Sequence, residues 1–112
     1  MLETIKSARE IDTLFERGTR ASNAYVSVLV IPTPERRGRN GRVVVIAGKK
    51  IGNAVLRNRA KRVLRESVRR VDGPWAGFDV ALIARTRASS ADPVTIDAAI
   101  RAALQRVGVD MK

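Results

Sequence analysis

The chain contains no cysteine and no histidine in 112 residues. The first absence removes disulfides, thiolate metal sites and cysteine nucleophiles together. The second removes the usual general base near neutral pH and the commonest transition-metal ligand. A magnesium-dependent hydrolase built on carboxylates survives both exclusions. Against it, Asp72, Asp79, Asp92 and Asp97 fall in separate loops or elements. Long apolar runs are missing as well. Nothing approaches the roughly 18 apolar residues of a membrane span, and the opening MLETIKSARE has no apolar signal segment. The reading is a cytoplasmic chain with no membrane partner. Acids are scarce, 11 against 22 lysines and arginines, which leaves a net charge of +11. Such a field attracts polyanions, and nucleic acid is the abundant one in a cytoplasm.

At this length one domain over 1–112, with its own core, is expected. Ser7 and Glu10 have the spacing of a capping box, and Ile11, Leu14 and Phe15 form the stripe of a short helix stopped by Gly18. Periodicity alone puts Phe15 in the core. AYVSVLVI (24–31) reads as a strand. PTPERRGRNG (32–41) is a loop whose three arginines are read as solvated, with a secondary contact left open. RVVVIA (42–47) is a second strand, able to pair with the first as a long-looped hairpin. The segment 53–71 is helical with Asn53 as N-cap, and DGPWAG (72–77) breaks it. FDVALIA (78–84) is a third strand. Thr95 is read as the cap of a last helix that stops at Gly108. The order is helix, strand, strand, helix, strand, helix. Two strands flanking a helix suggest a parallel βαβ unit, with the helices covering one face of a small mixed sheet.

The informative stretch is KKIGNAVLRNRAKRVLRESVRR (49–70), with nine cations and one acid, Glu66. At about 100° per residue, Leu56, Ala60, Val63, Leu64, Ser67, Val68 and Val71 gather on one face. Asn58, Lys61, Arg62, Arg65 and Arg69 gather on the other. Arg57 falls on the apolar side, in the first turns, where a long side chain snorkels past the core edge. Each like-charge pair three or four residues apart costs a few tenths of a kcal/mol in an isolated helix. Phosphates along the stripe would turn that repulsion into attraction. Asn58 adds an acceptor and two donors able to bond a base edge, a ribose hydroxyl or a phosphate. Lys49 and Lys50, before the helix N-terminus, form a candidate anion site with its dipole. These residues point to nucleic-acid binding without saying which nucleic acid. A ribosomal or general RNA-binding protein and a stand-alone magnesium nuclease remain the alternatives.

Taken whole, KKIGNAVLRNRAKRVLRE resembles the signature of the bacterial ribonuclease P protein component. Lys49, Lys50, Arg57, Asn58, Arg59, Lys61, Arg62 and Arg65 stand at its polar positions. The opening helix with Phe15 and the strand FDVALIAR resemble the family over most of the chain. The resemblance implies an α+β fold, an α/β sandwich on a central mixed sheet like the second domain of ribosomal protein S5. It leaves room for one further short strand and implies a left-handed strand-helix-strand crossover. It further implies the small subunit of a ribonucleoprotein endonuclease that removes the 5′ leader of precursor tRNA. The chemistry there belongs to the catalytic RNA subunit and to Mg2+ held mainly by RNA and substrate, so no catalytic side chain is required. Carried over, Lys49, Lys50, Arg57, Arg59 and Arg62 face the RNA subunit. Phe15, Asn58, Lys61 and Arg65 border the leader, with Phe15 as a stacking platform. The protein is expected to be monomeric within the complex.

Overall fold

Two strands of this chain are apolar on both sides, and they occupy the middle of the sheet. The computed structural model describes residues 8–109. In chain order the helices are α1 (Ala8–Arg17), α2 (Ala54–Arg70) and α3 (Pro93–Arg106). The strands are β1 (Thr19–Ser22), β2 (Val26–Pro32), β3 (Arg42–Ile46) and β4 (Phe78–Ala84). The sheet order is β1-β2-β4-β3. β1 and β4 both pair antiparallel with β2, and β3 pairs parallel with β4. The βαβ unit β3-α2-β4 is therefore parallel, as its order suggested.

Three expectations are corrected. The hairpin between the first two apolar strands does not form, because β4 lies between β2 and β3. A strand buried along both faces and bonded on both edges belongs at the centre of a sheet. Nor do all the helices share one face. Val26, Val28, Val30, Val43, Val80 and Leu82 pack under α2 and α3, through Ala60, Leu64, Val68, Ile96, Ile100 and Leu104. The alternate residues Leu29, Val44 and Ala81 pack with Leu14 of α1 on the opposite side. Successive strand side chains point to opposite faces, so the molecule has three layers: α1, sheet, α2 with α3. Thirdly, α3 begins earlier than Thr95. Asp92 is its N-cap, accepting the Thr95 N–H at 2.7 Å, and Pro93 takes the first turn. That proline has no N–H to leave unsatisfied there.

Other ends match their sequence signals. Gly108 stops α3 at φ 84°, with Gly108 N–H bonded to Gln105 O and Val109 N–H to Leu104 O. This pair of bonds satisfies the last carbonyls while Val109 enters the core. Ser7 of the capping box lies outside the described residues, and the Glu10 carboxylate pairs with Arg42 on β3. The additional strand is β1, whose sequence TRAS shows no apolar alternation beyond the buried Ala21. Its hairpin is set by Asn23, whose Oδ1 accepts the N–H groups of Tyr25 and Val26 while its Nδ2 donates to Ala99 O on α3. Trp75 is buried in the turn after α2 and donates its indole N–H to Val71 O at 3.1 Å.

α2 and α3 are joined by one polar clamp. Ser67, fully buried, donates to Asp97, and the Arg70 Nε donates to both Asp97 oxygens at 3.1 and 2.9 Å. Burial pushes the Asp97 carboxyl up, but the bonds from Arg70 and Ser67 and the charges of Arg70 and Arg101 outweigh it. The result lies below the ordinary carboxylate value. A carboxylate lowered in this way stabilises the fold above its unfolded pKa, near 3.9, and the contribution fades as pH falls through the lower folded value. Asp97→Ala strands the Ser67 hydroxyl and should cost about 2 kcal/mol at neutral pH. The gap between thermal melts of the two proteins should narrow below about pH 4; a constant gap across that range would contradict the clamp.

Candidate nucleic-acid interface

α2 is held to the sheet by a strip that starts only at its seventh residue. Ala60, Leu64, Ser67 and Val68 are buried along it, followed by Val71. The turn before them overhangs the core. Leu56, placed by the wheel on the packed face, is 38% exposed, and Val55 is 70% exposed. Arg57 is half-buried, consistent with a side chain crossing the core edge. The helix start is firm nonetheless: Asn53 accepts the Leu56 N–H at 3.0 Å, as its sequence position indicated. Lys49 and Lys50 lie exposed on a 3-10 turn, Lys49–Ile51, immediately before it.

Asn58, Arg59, Arg62, Arg65 and Arg69 are exposed and Lys61 is half-buried, so the cationic stripe stands outside the packed interior. Among the described residues none of these cations takes part in an ion pair. Arg65 has Lys61 and Arg69 four residues away and Arg62 three away, with no acid at those spacings. Val55, Asn58, Arg59 and Arg62 line a shallow depression of about 370 Å³.

Four of the described acids are committed elsewhere. Asp92 caps α3, Asp97 clamps it to α2, and Arg42 on β3 lies between Glu10 and Asp79. The Asp79 Oδ1 also accepts from Thr33 Oγ1 at 3.2 Å. Among the described residues no group of three or more histidines, cysteines or acids gathers to hold a metal ion. The Arg42 arrangement has no sequence signal, since the residue reads simply as the first of a strand.

Phe15 departs from its periodicity. Leu14 is buried in the α1 layer while Phe15 is 50% exposed. It lies on the sheet face opposite α2, so Phe15 and the residues Asn58, Lys61 and Arg65 are not gathered into one cluster. α1 cannot cover four strands, and Ile31, Ile46 and Ile83 on its face remain half-buried. The loop 33–41 is tied down by its backbone: Thr33 N–H bonds Gly77 O at 2.8 Å and Gly77 N–H bonds Arg39 O at 3.0 Å. Arg36, Arg39 and Arg42 thereby border a second open depression of about 770 Å³, near the turn that follows α2.

The family model described as Ribonuclease P matches residues 2–108. The chain belongs to the ribonuclease P protein family. Its members form the protein subunit of the endoribonuclease that matures tRNA 5′ ends. The ribonuclease P protein component of Caldanaerobacter subterraneus subsp. tengcongensis is 31% identical over 106 residues, covering 94% of this chain and 89% of the relative. That of Natranaerobius thermophilus is 37% identical over 91 residues, covering 80% and 76%. The ribonuclease P protein structure from Staphylococcus aureus superimposes with TM-score 0.80 at 25% identity, covering 97% of this chain and 98% of that one. The Thermotoga maritima structure gives 0.78 at 28% identity, covering 94% and 97%. The mixed sheet with three helices is thus the ribonuclease P protein fold. Among the described residues no helix is long and apolar enough to cross a membrane.

A stripe of unpaired cations predicts its own energetic signature. Arg65→Gln should raise the stability of the free protein by a few tenths of a kcal/mol at low ionic strength. The gain should vanish near 1 M salt, where the screening length is about 3 Å. Denaturant titrations at both salts test this, and destabilisation by the substitution would mean that Arg65 has a structural partner.

Proposed function

We propose that this chain binds the catalytic RNA subunit of ribonuclease P and the 5′ leader of precursor tRNA, in the cytoplasm, as one protein copy per complex. The observation that carries the reading is the α2 stripe: six exposed or half-exposed groups, one amide among cations, none of the cations ion-paired among the described residues. Lys49, Lys50, Arg57, Arg59 and Arg62 are assigned to the RNA subunit. Asn58, Lys61 and Arg65 are assigned to the leader, and exposed Phe15, beside the half-covered isoleucines of the α1 face, offers a platform for a leader base. A base stacked on an aromatic ring contributes roughly 1–3 kcal/mol. RNA touching both sets must pass round the sheet, which separates α1 from α2, and β3 is the edge strand that leads directly into α2.

The protein's work in this reading is positioning. Its guanidiniums neutralise phosphates that would otherwise repel where two RNAs meet, and its helix fixes their spacing. In this reading no side chain moves a proton: histidine and cysteine are absent, and Glu10, Asp79, Asp92 and Asp97 are committed to caps and clamps. The described residues offer no ligand set for Mg2+, so the proposal leaves the metal and the hydrolysis to RNA and substrate.

The deciding experiment is reconstitution with a candidate catalytic RNA on precursor tRNA at low magnesium, with and without the chain. Acceleration by the protein supports the reading. Copurification with ribosomal RNA alone, or cleavage by RNA-free protein, would replace it. Within an active complex, Arg65→Ala should lower affinity for precursor tRNA more than for mature tRNA, because only the precursor carries a leader. Equal losses would remove Arg65 from the leader path. Lys50→Ala should raise the magnesium concentration needed for half-maximal cleavage, and an unchanged requirement would count against the anion site before α2.

A further inference from the structure

Val55 stands at the N-terminal end of the cationic face. Asn58, Arg59 and Arg62 follow it by three, four and seven residues, the spacings that share one side of a helix. Together these four line the depression of about 370 Å³. Val55 is 70% exposed, so core packing does not account for it. Helix propensity does not either, because a β-branched residue is a poorer helix former than alanine, lysine or arginine.

We propose that this depression receives one unpaired nucleotide of the RNA subunit, its base lying against Val55. This rests on the subunit reading above and adds a recognition mode to it. The chemistry of the four side chains selects the occupant. Two guanidiniums select phosphate, while the Asn58 amide, assigned above to the leader, bounds the depression on that side. An aliphatic surface between them has no use against a regular duplex, whose outside presents phosphates and riboses. A splayed base presents an apolar face and a polar edge at once, which is how sequence-specific sites in RNA are generally read. Arg59 and Arg62 then hold the phosphates on either side, and the Val55 methyls cover the ring.

The test compares dissociation constants of the full-length chain for a catalytic ribonuclease P RNA over a range of salt, for wild type, Val55→Ala, Val55→Thr and Arg62→Ala. Val55→Ala removes two buried carbons and Val55→Thr keeps the shape but adds a hydroxyl. Each should weaken binding about tenfold with the wild-type log–log salt slope, and Val55→Ala should not lower the melting temperature. Arg62→Ala should instead reduce the slope by about 0.7–0.9. Chemical probing of the RNA should show one unpaired base protected by wild type and exposed again with Val55→Ala. Wild-type affinity in both Val55 variants, or protection that survives Val55→Ala, overturns the pocket while leaving the subunit reading intact. Failure of the wild-type chain to bind the RNA at all overturns both. A Val55 effect on self-association or on capture of an acidic protein, without an effect on RNA binding, assigns the face to that other occupant and overturns the proposal.

Discussion

The structure depends on the burial of one narrow strip of α2. Ala60, Leu64, Ser67 and Val68, with Val71 beyond the helix end, seat a helix of 17 residues on the sheet and on α3. At about 1.5 Å per residue that helix is roughly 25 Å long. Because the strip is narrow, most of its circumference is left to solvent, and because it starts late, the first turn projects beyond the core. Both consequences shape the proposed interface. The wide free arc holds the cationic stripe, and the projecting turn carries Val55, Leu56 and Asn58 clear of the other elements.

Charge is distributed to match. Each acid whose partner is described serves the scaffold: Asp92 at the start of α3, Asp97 between α2 and α3, Glu10 and Asp79 around Arg42. That arrangement spends negative charge on joints and keeps it away from the stripe. Glu66 is the one acid within α2, and it lies beside Arg70 rather than among Asn58, Lys61 and Arg65. A helix whose cations repel one another needs its far side held strongly, and the Ser67–Asp97–Arg70 clamp supplies a polar joint there in addition to aliphatic packing.

The two faces of the sheet differ in how fully they are covered. α2 and α3 close one face, where Val28, Val80, Leu82, Ile96 and Ile100 are completely buried. Among the described residues the other carries only the ten residues of α1, which leaves isoleucines at its margin partly open and Phe15 half-exposed. A polynucleotide lying along the open face and round the β3 edge would meet an aromatic, then aliphatics, then the lysines before α2 and its stripe. The β3-α2-β4 connection makes that route possible by placing the helix immediately after the edge strand.

The chain by itself determined the helices, the long strands, the caps at Asn53 and Gly108 and the cationic row with its amide, because each rests on local pattern. It also carried the family, since the polar spacing from Lys49 to Arg65 is a continuous motif. Strand order, the splitting of the helices between two faces and the strand at Thr19–Ser22 came only from the folded molecule. The continuous runs in β2 and β4 do signal cover on both faces, yet nothing local says which helix covers which. TRAS becomes a strand only because β2 offers it hydrogen bonds. Phe15 and Val55 make the same point for the site. Periodicity assigned the first to the core, and the wheel offered no role for the second. Exposure is a property of what lies opposite a residue, which the local pattern does not record.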